Sequence, residues 1–82
     1  MQLTVNPFHM GSSKEAALKP LEEAAEVFGA WQMDDEDLLA LEIADCITAC
    51  VNLADRYGID LQAALDAVEK HNRERGRYGS LD

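Results

Sequence analysis

The sequence has little positive charge, few aromatic residues and no long apolar run. Seven Lys and Arg stand against 16 Asp and Glu, for a net charge of −9 over 82 residues. A general nucleic-acid binder draws its affinity from a basic face that neutralises phosphates, so this composition excludes that class. No stretch approaches the roughly 18 apolar residues of a membrane span. The first ten residues also lack the basic and apolar regions of a secretory signal. Two cysteines, Cys46 and Cys50, are too few for a disulfide framework. Four apart in one helical run, they read as buried, reduced thiols of a cytoplasmic protein. There is no useful β-type alternation, no internal repeat and no low-complexity tract.

Apolar residues, by contrast, make up 48% of the chain. A single core in a domain this short gives only marginal stability. The surplus implies apolar surface buried against another copy, so a homodimer or homotetramer is expected.

Residues 1–11 contain Pro7 and Gly11, show no period and read as a loop-like arm of one 1–82 domain. Ser12 and Glu15 form a capping-box pattern. A helical run follows to about Trp31, with Leu18, Leu21, Ala25 and Phe28 on one face. Pro20 inside that run either kinks the helix or marks its first turn. Asp34, Asp35 and Asp37 supply acids that suit the start of a second helix. Its body, Leu38 to Ala54, is apolar nearly all round and predicts burial on most sides. Gly58 suits a left-handed C-terminal cap. Asp60 caps a third helix reaching about Asn72. The expected fold is all-α, a bundle of about three helices completed by oligomerisation.

The acids that interrupt these apolar faces carry the functional signal. Glu42 and Asp45 are three apart in the second helix and share a face, with Asn52 near the same stripe. Glu23 and Glu26 repeat the spacing in the first helix. The connection between the helices is short, which makes them antiparallel neighbours. At about 1.5 Å per residue, Glu26 and Glu42 lie level, with Glu23 and Asp45 one turn deeper. Four carboxylates converging in apolar surroundings repel one another and are costly to bury unless a cation compensates. All-oxygen ligation with room for water and phosphate oxygens suits Mg²⁺, and the same donors admit Mn²⁺. A carboxylate-bridged di-iron bundle is disfavoured, because neither pair has the Glu-x-x-His spacing.

Glu22-Glu23-x-x-Glu26, then fifteen residues, then Glu42-x-x-Asp45 resembles the signature of the MazG-like all-α nucleoside triphosphate pyrophosphohydrolases. The likeness runs on through Ala49–Ala54, Gly58-Ile59-Asp60 and Lys70–Tyr78, about residues 15–78 in all. The Arg-Gly-Arg tail is most similar to short members carried by phages and prophages. The resemblance implies that Glu23, Glu26, Glu42 and Asp45 ligate Mg²⁺ and that Glu22 helps orient the attacking water, beside Glu23. It also implies that Asn52, Lys70 and Asn72 lie toward the nucleotide. The implied reaction takes a nucleoside triphosphate and water to the monophosphate and pyrophosphate. Family members usually carry another helix ahead of the Glu-Glu-x-x-Glu helix, where this chain has a loop. A partner subunit is therefore a candidate for the missing wall. A nucleotide- or metal-binding interaction module with impaired catalysis is the alternative.

Four of the seven basic residues, Lys70, Arg73, Arg75 and Arg77, crowd eight positions of this acidic chain. Lys70 and Arg75 are expected to contact phosphates, with Arg77 closing over them. Complementation of the helix dipole is the competing explanation.

Overall fold

The computed structural model describes residues 1–9 and 11–79. Within them are three helices and no strand: α1 (Ser13–Gln32), α2 (Glu36–Arg56) and α3 (Leu61–Glu74). Each begins where a short polar side chain satisfies an otherwise orphaned backbone donor. Ser12 Oγ accepts the N–H of Glu15 at 3.2 Å, Asp35 that of Leu38 at 3.0 Å, and Asp60 that of Ala63 at 3.0 Å. The Ser12 cap decides the question left by Pro20. The helix starts at Ser13 and runs through the proline, which leaves the carbonyl one turn earlier without its usual donor.

Helix ends are equally local. Gly58 has φ +62°. The Ile59 N–H reaches the Ala54 carbonyl at 2.9 Å and the Gly58 N–H reaches Asp55 at 3.1 Å. This is the doubly bonded glycine cap that stops α2 and turns the chain toward α3. At the end of α1 the equivalent left-handed position falls on Asp34, φ 56°, which an L-residue occupies at a cost.

The turn over 33–35 folds α1 and α2 into an antiparallel hairpin, the one substantial helix pairing among the described residues. Its core is made of alanines: Ala16, Ala30, Ala49 and Ala54 are the buried apolar residues. Small side chains let the two helices approach closely, but bury little area. Among the described residues no large side chain is fully buried, and Leu21, Phe28, Trp31 and Leu41 are all exposed. The expectation that α2 would be buried on most sides is not met, because among the described residues α1 is the one helix that packs on it extensively. α3 has no buried residue.

The arm carries no helix or strand over residues 1–9. Met1, Leu3 and Val5 line a groove of about 650 Å³ with Cys46 and Cys50 of α2 and the start of α3. The two cysteines are free thiols, but Cys46 is only half-buried and Cys50 is exposed, so the expectation of burial is corrected. Both line this open groove, and Cys46 also feels the charge of Glu23 on α1. What burial Cys46 has pushes its thiol pKa up, helped by the neighbouring Cys50.

Candidate metal centre

Glu23, Glu26 and Glu42 meet across the hairpin, each offering a carboxylate oxygen within 4.8 Å of the others. Helix periodicity produces the meeting. Glu23 and Glu26 stand one turn apart on the face of α1 turned to α2, and Glu42 sits opposite on α2. Glu23 is 6% exposed, and Glu42 is half-buried. Glu23 Oε2 and Glu42 Oε2 are both buried, and neither accepts a hydrogen bond. A buried carboxylate oxygen without a donor loses hydration and gains nothing in exchange, so such groups demand a proton donor or a cation. Three carboxylates with two orphaned oxygens fit a hard divalent ion that takes oxygen ligands.

Asp45 stands outside that triad but in the same locality. It is exposed and lines a cleft of about 180 Å³ beside Glu23, with Lys19, Asn52 and Phe8 around it. Glu22 is exposed on the neighbouring position of α1. Asn52 is 7% exposed, and its Oδ1 accepts the backbone N–H of Phe8 at 2.8 Å.

Two residues of this cleft escaped sequence reasoning. Lys19 Nζ lies 3.3 Å from Glu23 Oε1 and 3.7 Å from Glu22 Oε2. Its hydrogen bond to Glu23 and that carboxylate's charge hold its pKa above the ordinary lysine value, with Glu22 and Glu26 adding to the effect. The i,i+4 spacing of Lys19 and Glu23 was a usable signal. Phe8 had none, since it lies in an aperiodic arm.

The basic tail is organised around its own helix. Lys70, Asn72 and Arg75 stand on or just beyond α3, which has at most slight contact with the α1–α2 hairpin. Arg75 donates to the His71 carbonyl at 3.3 Å and to Asn72 Oδ1 at 3.2 Å. The Arg77 N–H bonds the Asn72 carbonyl at 2.9 Å, and the Arg73 guanidinium sits 5.3 Å from the Tyr78 ring centroid. Within one chain, then, Arg75 serves the helix terminus, as dipole complementation requires.

The structure thus defines an all-helical protein with an acidic, cation-ready cleft between two antiparallel helices. Residues 12–78 match the family of the MazG nucleotide pyrophosphohydrolase domain. That span is most of the chain, and the protein belongs to this family. No curated protein and no solved structure matches the chain significantly. No helix is long and apolar enough to cross a membrane.

Proposed function

We propose that the protein is a Mg²⁺-dependent nucleoside triphosphate pyrophosphohydrolase, releasing pyrophosphate and leaving the monophosphate. The observation that carries this reading is the pair of orphaned buried oxygens on Glu23 and Glu42 within a three-carboxylate cluster. Glu23, Glu26 and Glu42 would hold the ion, with Asp45 reaching it from the cleft, and Mn²⁺ would serve as well. When bound, such an ion polarises phosphate oxygens and lowers the pKa of a coordinated water. Glu22, exposed beside Glu23, accepts a proton from the water that attacks the α-phosphorus. Lys19, now paired with Glu22 and Glu23, would offer its ammonium to the departing phosphates. Asn52 closes the far end of the cleft. Two free thiols suit a reducing, cytoplasmic setting.

The working unit in this reading is a homodimer or homotetramer. The chain exposes 6520 Å², against about 4,900 Å² for a compact protein of this mass. Its radius of gyration of 14.9 Å likewise exceeds the roughly 12 Å of a compact domain. Burying the excess on both copies gives about 3,000 Å², the size of an obligate homodimer interface. A second copy is also the natural source of Lys70 and Arg75 for the phosphates, since each chain's own α3 stands off its cleft.

That separation favours one further reading, a nucleotide-binding module without turnover. Incubation with each nucleoside triphosphate and Mg²⁺, with pyrophosphate measured alongside binding, separates the two. Release by the wild type and none by Glu23→Gln supports the enzyme. Binding without release supports the module. Neither binding nor release overturns both.

A further inference from the structure

The N-terminal arm is fastened to the helix that carries half of the carboxylates. Its anchors are polar and specific. The Phe8 N–H donates to Asn52 Oδ1 at 2.8 Å. The Arg56 guanidinium donates to the Gly11 carbonyl at 3.1 Å and lies 3.3 Å from His9 Nε2. Gly11 itself takes φ +46°, a left-handed conformation that favours glycine where the chain approaches α1. Phe8 is clamped through its backbone while the residue stays 54% exposed. The residue lines the same cleft as Glu23, Asp45, Lys19 and Asn52. That cleft therefore combines carboxylates for a cation, an ammonium for a phosphate, and one flat apolar face.

We propose that Phe8 is a specificity-determining residue: its ring is the platform against which the heteroaromatic base of the ligand stacks, held in place by the Phe8–Asn52 bond. The proposal rests on the nucleotide reading above and adds to it the part of the ligand that the carboxylates cannot recognise. It also reassigns Asn52, which the sequence aimed at the nucleotide, to positioning the ring that meets it. An aromatic face is tolerant of base identity, because every base presents a π surface. The arm would thus confer preference for nucleosides over bare polyphosphates, rather than for one base over another.

The test compares two probes in the presence of Mg²⁺, an α,β-methylene nucleoside triphosphate and inorganic tripolyphosphate. Both are titrated calorimetrically into the wild type, Phe8→Ala and Phe8→Trp, with melting followed in parallel. Loss of one base–aromatic stack weakens binding by about tenfold or more. Phe8→Ala is expected to lose that factor for the nucleotide and less than twofold for tripolyphosphate, with an unchanged melt, and Phe8→Trp to restore it. Equal losses for both probes, or a lowered melt with unchanged affinities, reduce Phe8 to a structural anchor and overturn the proposal. Tighter nucleotide binding by Phe8→Ala overturns it too, since the arm would then be obstructing the cleft. Wild-type protein that binds both probes equally refutes the platform while leaving the phosphate site intact. Wild-type protein that binds neither refutes the nucleotide reading itself.

Discussion

Replacing Glu42 with Gln removes one charge from the carboxylate triad while preserving its shape. The facing oxygens lie within 4.8 Å of one another, and two unit charges at that upper limit repel by about 3.5 kcal/mol at an effective dielectric of 20. One substitution eliminates two of the three repulsive pairs. The gain is much smaller than their sum, because Glu26 is exposed and Lys19 already offsets part of the field. The new amide can also donate to the triad, where Glu42 Oε2 now has no partner. A net gain of about 1 kcal/mol in the metal-free protein follows, or about 4–8 °C in melting temperature for a domain of this size. Mg²⁺ reverses the ranking. At ten times its Kd, an ion that binds only the folded state adds about 1.4 kcal/mol, so the wild type should rise by about 6–11 °C and Glu42→Gln should barely respond. Melts are run at fixed protomer concentration, with Mg²⁺ and with chelator. Identical wild-type melts in the two conditions, or an equal Mg²⁺ response in the variant, would refute the reasoning.

Asp45→Asn should abolish pyrophosphate release while leaving the circular dichroism of the helices unchanged; a variant as active as the wild type removes Asp45 from the site. Asp34→Gly relieves a left-handed residue at the end of α1 and should stabilise the fold by about 1 kcal/mol in chemical denaturation; a loss of stability would mean that the Asp34 side chain does more than terminate a helix. Lys19 has a raised pKa in the folded state, so its contribution is fully present below the ordinary value of 10.5 and disappears as pH climbs through the raised one. The wild type should therefore lose its stability advantage over Lys19→Gln between neutral and strongly alkaline pH, and a pH-independent difference would contradict that ion pair. Sedimentation should give a dimer or larger at micromolar concentration, and a well-folded monomer would leave the exposed Leu21, Phe28, Trp31 and Leu41 unexplained.

The sequence was most legible where the physics is local. Ser12, Asp35 and Asp60 are caps, Gly58 is a terminator, and each helix follows its apolar period to within about two residues of its observed end. The meeting of Glu23, Glu26 and Glu42 across the hairpin follows from i,i+3 spacing and a short turn, but four converging acids were expected and Asp45 stands outside the cluster, because spacing along a helix does not fix which side chains reach across to the next. Legibility failed where the outcome depends on what lies across a gap. An apolar α2 predicts burial, but the sequence does not say whether the cover comes from this chain or another. For the same reason Cys50 was misplaced. Arg75 is expected at the phosphates, and within one chain it bonds the His71 carbonyl and Asn72 Oδ1 of its own helix, so its reach to a ligand would depend on a second copy. The arm was opaque throughout, since extended segments docked by backbone donors leave no periodic trace.

Every carboxylate of the cleft comes from one stretch of chain, from Glu22 to Asp45, closed by the turn over 33–35. Closing so short a loop carries a small entropic cost, and contacts near in sequence form early in folding. The cluster of Glu23, Glu26 and Glu42 is therefore assembled at the stage of a helical hairpin, from α1 and α2 alone. An ion captured then would neutralise the charges that oppose the pairing of α1 with α2, and so act as a template for the hairpin as well as a participant in its chemistry. In the oligomer proposed above, subunit association would come last, adding cover to a carboxylate cluster that already exists. In this order of assembly, metal starvation and dilution would be distinct insults: the first would loosen the hairpin, and the second would uncover the apolar face of an otherwise intact one.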